Sequence, residues 1–461
     1  MIRNIFSCLL ICLLLACTFP LVSLASPVIS YTDLPSCSLQ IVSMQSQAAA
    51  QARAAFTKDY PQVTLNDATT YFLTDAAYIS YLLTQDSNVD IYCLPVNIGV
   101  GNLKDKGYLP SLESPISNEM VSSYYPQLKE LLTIRGDVVA APAEFAVLPW
   151  YRNTVLWDQV NAGPVPSTYI EYAKLVRWWE DEHMDNGEFT LCINSQTRDN
   201  MLEEMLRIFL LQSERPDTPV NFDTSSFRMT LMAVADMPIL QKRDDPNDEW
   251  LNEMINLPSL IDQGHSAMGQ SSSAPDWSLM TPLVVDETLP PALPVQMNLY
   301  VLNPYSKNLS AARKYLEYVL AYLPSAYNIQ FCPDENTPLQ DPEWERVKES
   351  LQEKIAWYQK QLEAGDPSEA KGMKEQIASI QQRIDSEDGR MLISQKDIHE
   401  YREIAPFMKF GEYSVILNYD DAVAFKELLA IAKRYCDGYL DMESAIRSLN
   451  DKANAVYLEA N

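Results

Sequence analysis

Residues Gly136–Asp158 read GDVVAAPAEFAVLPWYRNTVLWD, and the rest of the chain is organised around them. Val138, Val139 and Ala140 form a short apolar run that predicts a strand. Pro142 marks a break, because proline offers no backbone donor. Phe145–Tyr151 is a second extended run, and a helix start follows it. Two apolar runs joined by small residues and a proline suit a chain that crosses from one globule to another.

The bulk properties fit a two-body reading. The chain has 461 residues, 47% of them hydrophobic, enough for two or three domains with real cores. A net charge of −27 argues against nucleic acid, since a phosphate backbone needs a basic face. Strong acidity is more often a solubility feature of an exported protein. Only 13 glycines and 3 histidines occur, which disfavours phosphate-cradling loops and histidine-based metal or general-base clusters. No Gly-x-Ser-x-Gly elbow, His-Glu-x-x-His or phosphate loop is present. Gly99-Val100-Gly101 begins a Gly-x-Gly, but Lys104 stands where a dinucleotide site needs its third glycine. His399-Glu400 reads as a solvated helix face. No cofactor and no metal are expected.

Met1-Ile2-Arg3 and the apolar run Ile5–Leu24 predict a secretory signal over residues 1–25. Two processing readings stay open. Leu14-Leu15-Ala16-Cys17 resembles a lipobox, which would put a lipid on Cys17. Ser23-Leu24-Ala25 suits ordinary cleavage before Ser26. No later stretch approaches the ~20 apolar residues of a spanning helix. Three of the eight cysteines (Cys8, Cys12, Cys17) lie in the signal. The other five, Cys37, Cys93, Cys192, Cys332 and Cys436, are scattered and read as free thiols.

From Leu39 onward the pattern is strand (Leu39–Met44), helix (Ala48, Ala49, Ala52, Ala55, Phe56), strand (Val63, Leu65), helix (after Asp75) and strand (Val89–Leu94). That alternation predicts a parallel sheet faced by helices. Ala54–Leu65, AAFTKDYPQVTL, resembles the opening signature of bacterial extracellular solute-binding proteins, the capture subunits of ABC importers. Trp150-Tyr151-Arg152-Asn153 is similar to the aromatic segment at that family's first inter-lobe crossing. Val165–Glu171 resembles the helix start after it, with Ser167 or Thr168 as the cap. Ser306–Arg313 and its helix are similar to the family's return helix, and the segment after Asp441 to its closing helix. The resemblance covers most of residues 38–335 and 390–461.

The resemblance implies a maltose-binding-protein-like, family 1 chain. Its fold would be α/β, type II and two-lobed, each lobe a mainly parallel sheet flanked by helices. Residues 38–142, 300–335 and 390–410 would form lobe 1, and 147–297 with 411–461 lobe 2. Residues 341–386 depart from the shared pattern. Asp341-Pro342 and Asp366-Pro367 each mark a helix start, and apolar residues step by 3 and 4 between them, which predicts an antiparallel helical hairpin.

In an open α/β sheet, ligands sit beyond the carboxyl ends of the strands. The candidates there are Gln45, Ser46, Tyr71, Phe72 and Asn97 from lobe 1. Glu144, Phe145 and Trp150 come from the crossing. Asn194, Gln196, Thr197, Arg198 and Trp277 come from lobe 2. Aromatic faces stack on sugar rings while amides and carboxylates bind hydroxyls, so a neutral polar solute, a carbohydrate above all, is the expected ligand. Permease subunits would be the protein partners of a monomer at the outer face of the membrane or free outside it. Two alternatives stay open: a secreted carbohydrate hydrolase, and a surface interaction protein using the hairpin.

Overall fold

The computed structural model describes residues 34–42, 47–68, 82, 84–183, 189–192, 198–215, 218–237, 258–263, 277–364, 370–413, 416–417 and 423–460. In chain order the elements used below are β1 (Cys37–Val42), α1 (Gln47–Asp59), β2 (Val63–Ala68), β3 (Ile91–Pro95), α2 (Val100–Asp105), β4 (Thr133–Ile134), β5 (Asp137–Val138), β6 (Ala140–Val147), β7 (Trp150–Asn153), α3 (Tyr169–Glu182) and α4 (Arg198–Ser213). Next come α5 (Ser225–Ala235), β8 (Ile261–Gln263), β9 (Trp277–Leu279), β10 (Leu293–Leu302), α6 (Leu309–Ala321), α7 (Ser325–Phe331) and β11 (Leu339–Gln340). The chain ends with α8 (Trp344–Ala364), α9 (Ala370–Asp385), β12 (Met391–Ile393), α10 (Gln395–Ile404), β13 (Met408–Lys409), α11 (Val423–Cys436) and α12 (Met442–Ala460).

Two separate apolar cores form. The first draws on residues up to Val147, on Leu293–Phe331, and on Ile393–Phe410. The second runs from Trp150 to Ala292 and resumes from Ile416 to Ala453. The chain therefore passes between cores three times: at Leu148-Pro149, at Ala292/Leu293, and between Phe410 and Ile416.

In the first core β1 pairs in parallel with β2 and β3, as strand–helix alternation dictates. Ala52 and Phe56 of α1 turn inward, and the Phe56 ring meets Tyr315 and Tyr318 of α6 edge-on at 5.3 Å. β10 then enters antiparallel to both β3 and β6. Three of the five described pairings in this sheet, β1–β2, β1–β3 and β10–β13, are parallel, and the two antiparallel ones arise because the central strand belongs to the returning chain and runs the other way. The second core is mostly helical, with α3, α4, α5, α11 and α12 around Trp179, Phe209 and Phe222. Its described sheet is β8-β7-β9, antiparallel on both sides of β7.

Pro142 does not mark the crossing. It lies inside β6, where the register passes from Asn298↔Glu144 to Leu299↔Pro142 and leaves Ala143 as an extra residue. A bulge of this kind accommodates a residue that cannot donate to the ladder. The crossing comes six residues later, at Leu148. The tight turn lies upstream instead: Arg135 and Gly136, at φ 54° and 91°, fold β4 back onto β5. The return to the first core also starts earlier than expected, at Leu293 rather than Tyr300.

The helical hairpin of α8 and α9 encloses a small core of its own, Ile355, Ile380 and Ile384, with Leu351, Tyr358 and Ile377 beside it. It springs from the two-stranded pair β11–β12. The expected caps take definite forms. Thr168 Oγ1 accepts from Glu171 N at 3.1 Å, while Ser167 bonds the Glu171 side chain. Ser394 and Asp397 close a capping box on α10.

Candidate functional site

A cavity of about 460 Å³ lies against the carboxyl end of β3, at the mouth of the crossings. That volume falls within the ~300–1,000 Å³ of small-molecule sites. Its floor is the β6–β10 ladder. Because opposed residues of an antiparallel pair share a face, the register Gln296↔Ala146 and Asn298↔Glu144 puts two amides and a carboxylate side by side. Asn298 Nδ2 donates to Glu144 Oε2 at 2.7 Å. Asn97, just past β3, lines the same space, and its Nδ2 donates to Leu417 O at 2.8 Å across the third crossing. Phe145, Tyr327 and Phe410 supply the aromatic walls. Phe145 is held edge-on by Phe331 at 4.9 Å and by Tyr327 at 6.2 Å. Burial and the Glu144 charge push the Tyr327 phenol above its usual range.

The third crossing is stitched to the first core beside this cavity. Gly101 N donates to Glu412 O at 2.8 Å, and a Cβ on Gly101 would come within 2.6 Å of the Tyr413 ring. Gly99 turns the chain into α2 at φ 80°. Both glycines of the Gly-x-Gly run are thus set by backbone geometry and close packing against the crossing.

Of the residues singled out from the sequence, Asn97, Glu144 and Phe145 come together on the cavity. Trp150 does not. It is buried in the second core, tilted on Tyr172 at 5.4 Å, and its indole Nε1 donates to Glu204 Oε1 at 3.0 Å. Arg198 is also committed elsewhere: it pairs with Asp437 and donates to Cys436 O at 3.2 Å, pinning α4 to the end of α11. Trp277 opens β9 opposite Asn153, away from the cavity, and its carbonyl accepts from Lys396 Nζ at 2.9 Å. Gln45, Ser46, Tyr71, Phe72, Asn194, Gln196, Thr197 and Cys17 lie outside the described residues. His399 is exposed on α10, as a solvated face requires, but its neighbour Glu400 accepts from Leu279 N at 3.3 Å, so α10 of the first core grips β9 of the second.

Sequence reasoning missed Gln296, Asn298, Tyr327 and Phe410. The signal for the first two was present: Val295, Met297 and Leu299 alternate with Gln296 and Asn298 at a strand's period of two. The prolines at 290, 291 and 294 obscured it. It also missed Glu204. That carboxylate accepts from Trp150 Nε1 and, at 2.8 Å, from Gln263 Nε2, with the Tyr169 hydroxyl beside it and Arg207 nearby. Burial raises its pKa to about 7, against the pull of those donors.

Solved structures share this arrangement along nearly the whole chain. The sugar-binding protein MalE of Xanthomonas citri superposes with a TM-score of 0.55 at 13% identity, over 92% of this chain and 98% of that one. This is the MalE-like, type II solute-binding fold. The cyclic alpha-maltosyl-1,6-maltose binding protein of Arthrobacter globiformis gives 0.53 at 13% identity, over 92% and 99% of the two chains. A family 1 extracellular solute-binding protein from Bifidobacterium longum subsp. infantis gives 0.53 at 13%, over 92% and 100%. No family model and no curated protein sequence matches this chain. Among the described residues no helix is long and apolar enough to cross a membrane, and no group of three His, Cys, Asp or Glu is placed to hold a metal ion.

Proposed function

We propose that this chain is the extracytoplasmic substrate-binding subunit of an ABC importer and that its ligand is a carbohydrate. One observation carries the reading. Two independent cores are joined by three crossings, and beside those crossings the first core carries a cavity whose wall combines amides, a carboxylate and aromatic rings. That mixture suits hydroxyls and the apolar faces of a sugar ring. The solved structures named above are of sugar-binding or solute-binding proteins, which supports the same reading. In this account the sugar favours the state in which the lobes close, and its differential affinity for that state drives the closure. The closed form is then handed to permease subunits. The protein is tethered through Cys17 or released after Ala25, and metabolic labelling with a radioactive fatty acid distinguishes these fates.

A thermal-shift screen of the full chain against neutral mono- and oligosaccharides tests the function, with chromatography of the sugars after incubation. A raised melting temperature with the sugar recovered intact supports it. Cleaved sugar, or no shift with any sugar, overturns it.

A further inference from the structure

Helix α4 and the residue just past its end reach all three crossings. Glu204, Ile208 and Gln212 stand four residues apart, so they share one face and span ~12 Å of helix. Glu204 accepts from the indole of Trp150, the first residue beyond the first crossing. Ile208 lines the small void beside the first two crossings, together with Leu148, Pro149 and Leu293. There Leu148 N donates to Pro294 O at 3.2 Å, so those two crossings are bonded side by side. Gln212, which is buried, holds the approach to the second. Its Nε2 donates to Asp286 O at 3.2 Å and to Pro290 O at 3.1 Å. Its Oε1 accepts from Val285 N at 2.9 Å and from Asp286 N at 3.3 Å. Both donors and both lone pairs of the amide are thereby used. Glu214, just past the helix end, accepts from Tyr413 N at 3.1 Å within the third crossing.

A helix that only filled a core would turn its polar side chains to solvent or to its own neighbours. Glu203 and Arg207 do pair with each other in that way. Glu204, Gln212 and Glu214 are given to the crossings instead. Crossings held separately would bend separately, whereas one stiff helix tied to all three passes the strain of each to the others. We propose that α4 is the spine of the joint between the lobes: it couples the three crossings so that they yield together, with Gln212 and Glu214 as its positioning residues. The inference goes beyond the carbohydrate reading, because it concerns the joint of the free protein and holds for any solute.

The test is amide hydrogen exchange, read by mass spectrometry on the full chain with no solute added, since local opening of a joint exposes its amides. Glu214→Ala removes the acceptor of Tyr413 N at the third crossing. It should raise exchange ~3-fold or more over residues 408–413 and also over 146–152 and 283–295, at the other two crossings. Gln212→Met keeps the side chain's length and removes its four bonds. It should raise exchange at least ~10-fold over 283–295 and ~3-fold or more over 146–152 and 408–413. Peptides over 37–42 and 172–179, inside the two cores, should keep wild-type rates in both variants. Glu203→Gln, on the same helix but turned from the crossings, should match wild type throughout. A rise confined to the crossing whose bonds a variant removes shows that the crossings yield independently and overturns the coupling. An equal rise through both cores in both variants makes α4 an ordinary core helix and overturns it too. If Gln212→Met does not fold, the pattern in Glu214→Ala decides alone.

Discussion

Two carboxylates flank the Leu148-Pro149 crossing, and they differ in their surroundings. Glu144 stands four residues before it, on a cavity wall, with one amide donor at 2.7 Å. Glu204 clasps Trp150, the first residue beyond it, in a space of about 10 Å³, at most one water. The open carboxylate faces the cavity. The enclosed one ties α4 to β7 and β8 just where the second core begins, and desolvation lifts it to about 7. The difference is one of access: Glu144 is half-buried on an open wall, whereas Glu204 is spent on construction where the second core begins.

The comparison can be broken most severely at Trp150. Trp150→Ala removes a buried ring and an N–H donor to Glu204, and should cost about 3–5 kcal/mol, read as a fall in the urea midpoint at constant slope. Next is Glu204→Gln. The folded-state pKa of about 7 lies above the ordinary 4.5, so the folded protein holds this proton more tightly than the unfolded chain. The stability it confers is complete below pH ~4.5 and is lost as pH rises through ~7, by about 3 kcal/mol in all. The glutamine variant should therefore melt higher than wild type at pH ~8 and match it near pH ~4.5. An equal shift at both pH values would show that the carboxylate is not the cause.

Smaller effects belong to the cavity side. Asn298→Ala leaves Glu144 without its amide donor and should cost about 1 kcal/mol in a chemical melt. Glu144→Gln keeps that bond and should change stability by less than ~0.5 kcal/mol. A large loss of stability in this last variant would make Glu144 a structural group like Glu204 and erase the contrast.

The sequence made one side of this contrast legible. Glu144 follows a recognisable apolar run and sits in a segment similar to a known crossing. Glu204 is one of 62 acidic residues, and a helix face is needed to single it out. It shares a 3–4 spacing with Met201 and Ile208, both fully or almost fully buried. That clue is physical but easily lost beside Glu203, which pairs with Arg207 nearer the surface. The alternation of β1 and β3, the return helix α6 and the hairpin seam could be read because local period and tertiary burial agree. Trp150 and Arg198 could not be assigned, because a strand-end residue is equally suited to a cleft and to a neighbouring helix end, and only packing chooses. The first six residues of β10 were hidden by Pro294. It is tolerated at the strand's start, where its carbonyl still accepts from Leu148 N.

The pairing of β11 with β12 has a practical consequence. Leu339 faces Ile393, Gln340 faces Met391, and Asp341 N donates to Arg390 O, so the ends of the hairpin are held together at its base. Some fifty residues thus leave and re-enter the body through one narrow neck, with their own apolar interior. Such a neck is a ready grafting point: a reporter domain exchanged for the hairpin would ride on the first lobe without severing any strand of its sheet.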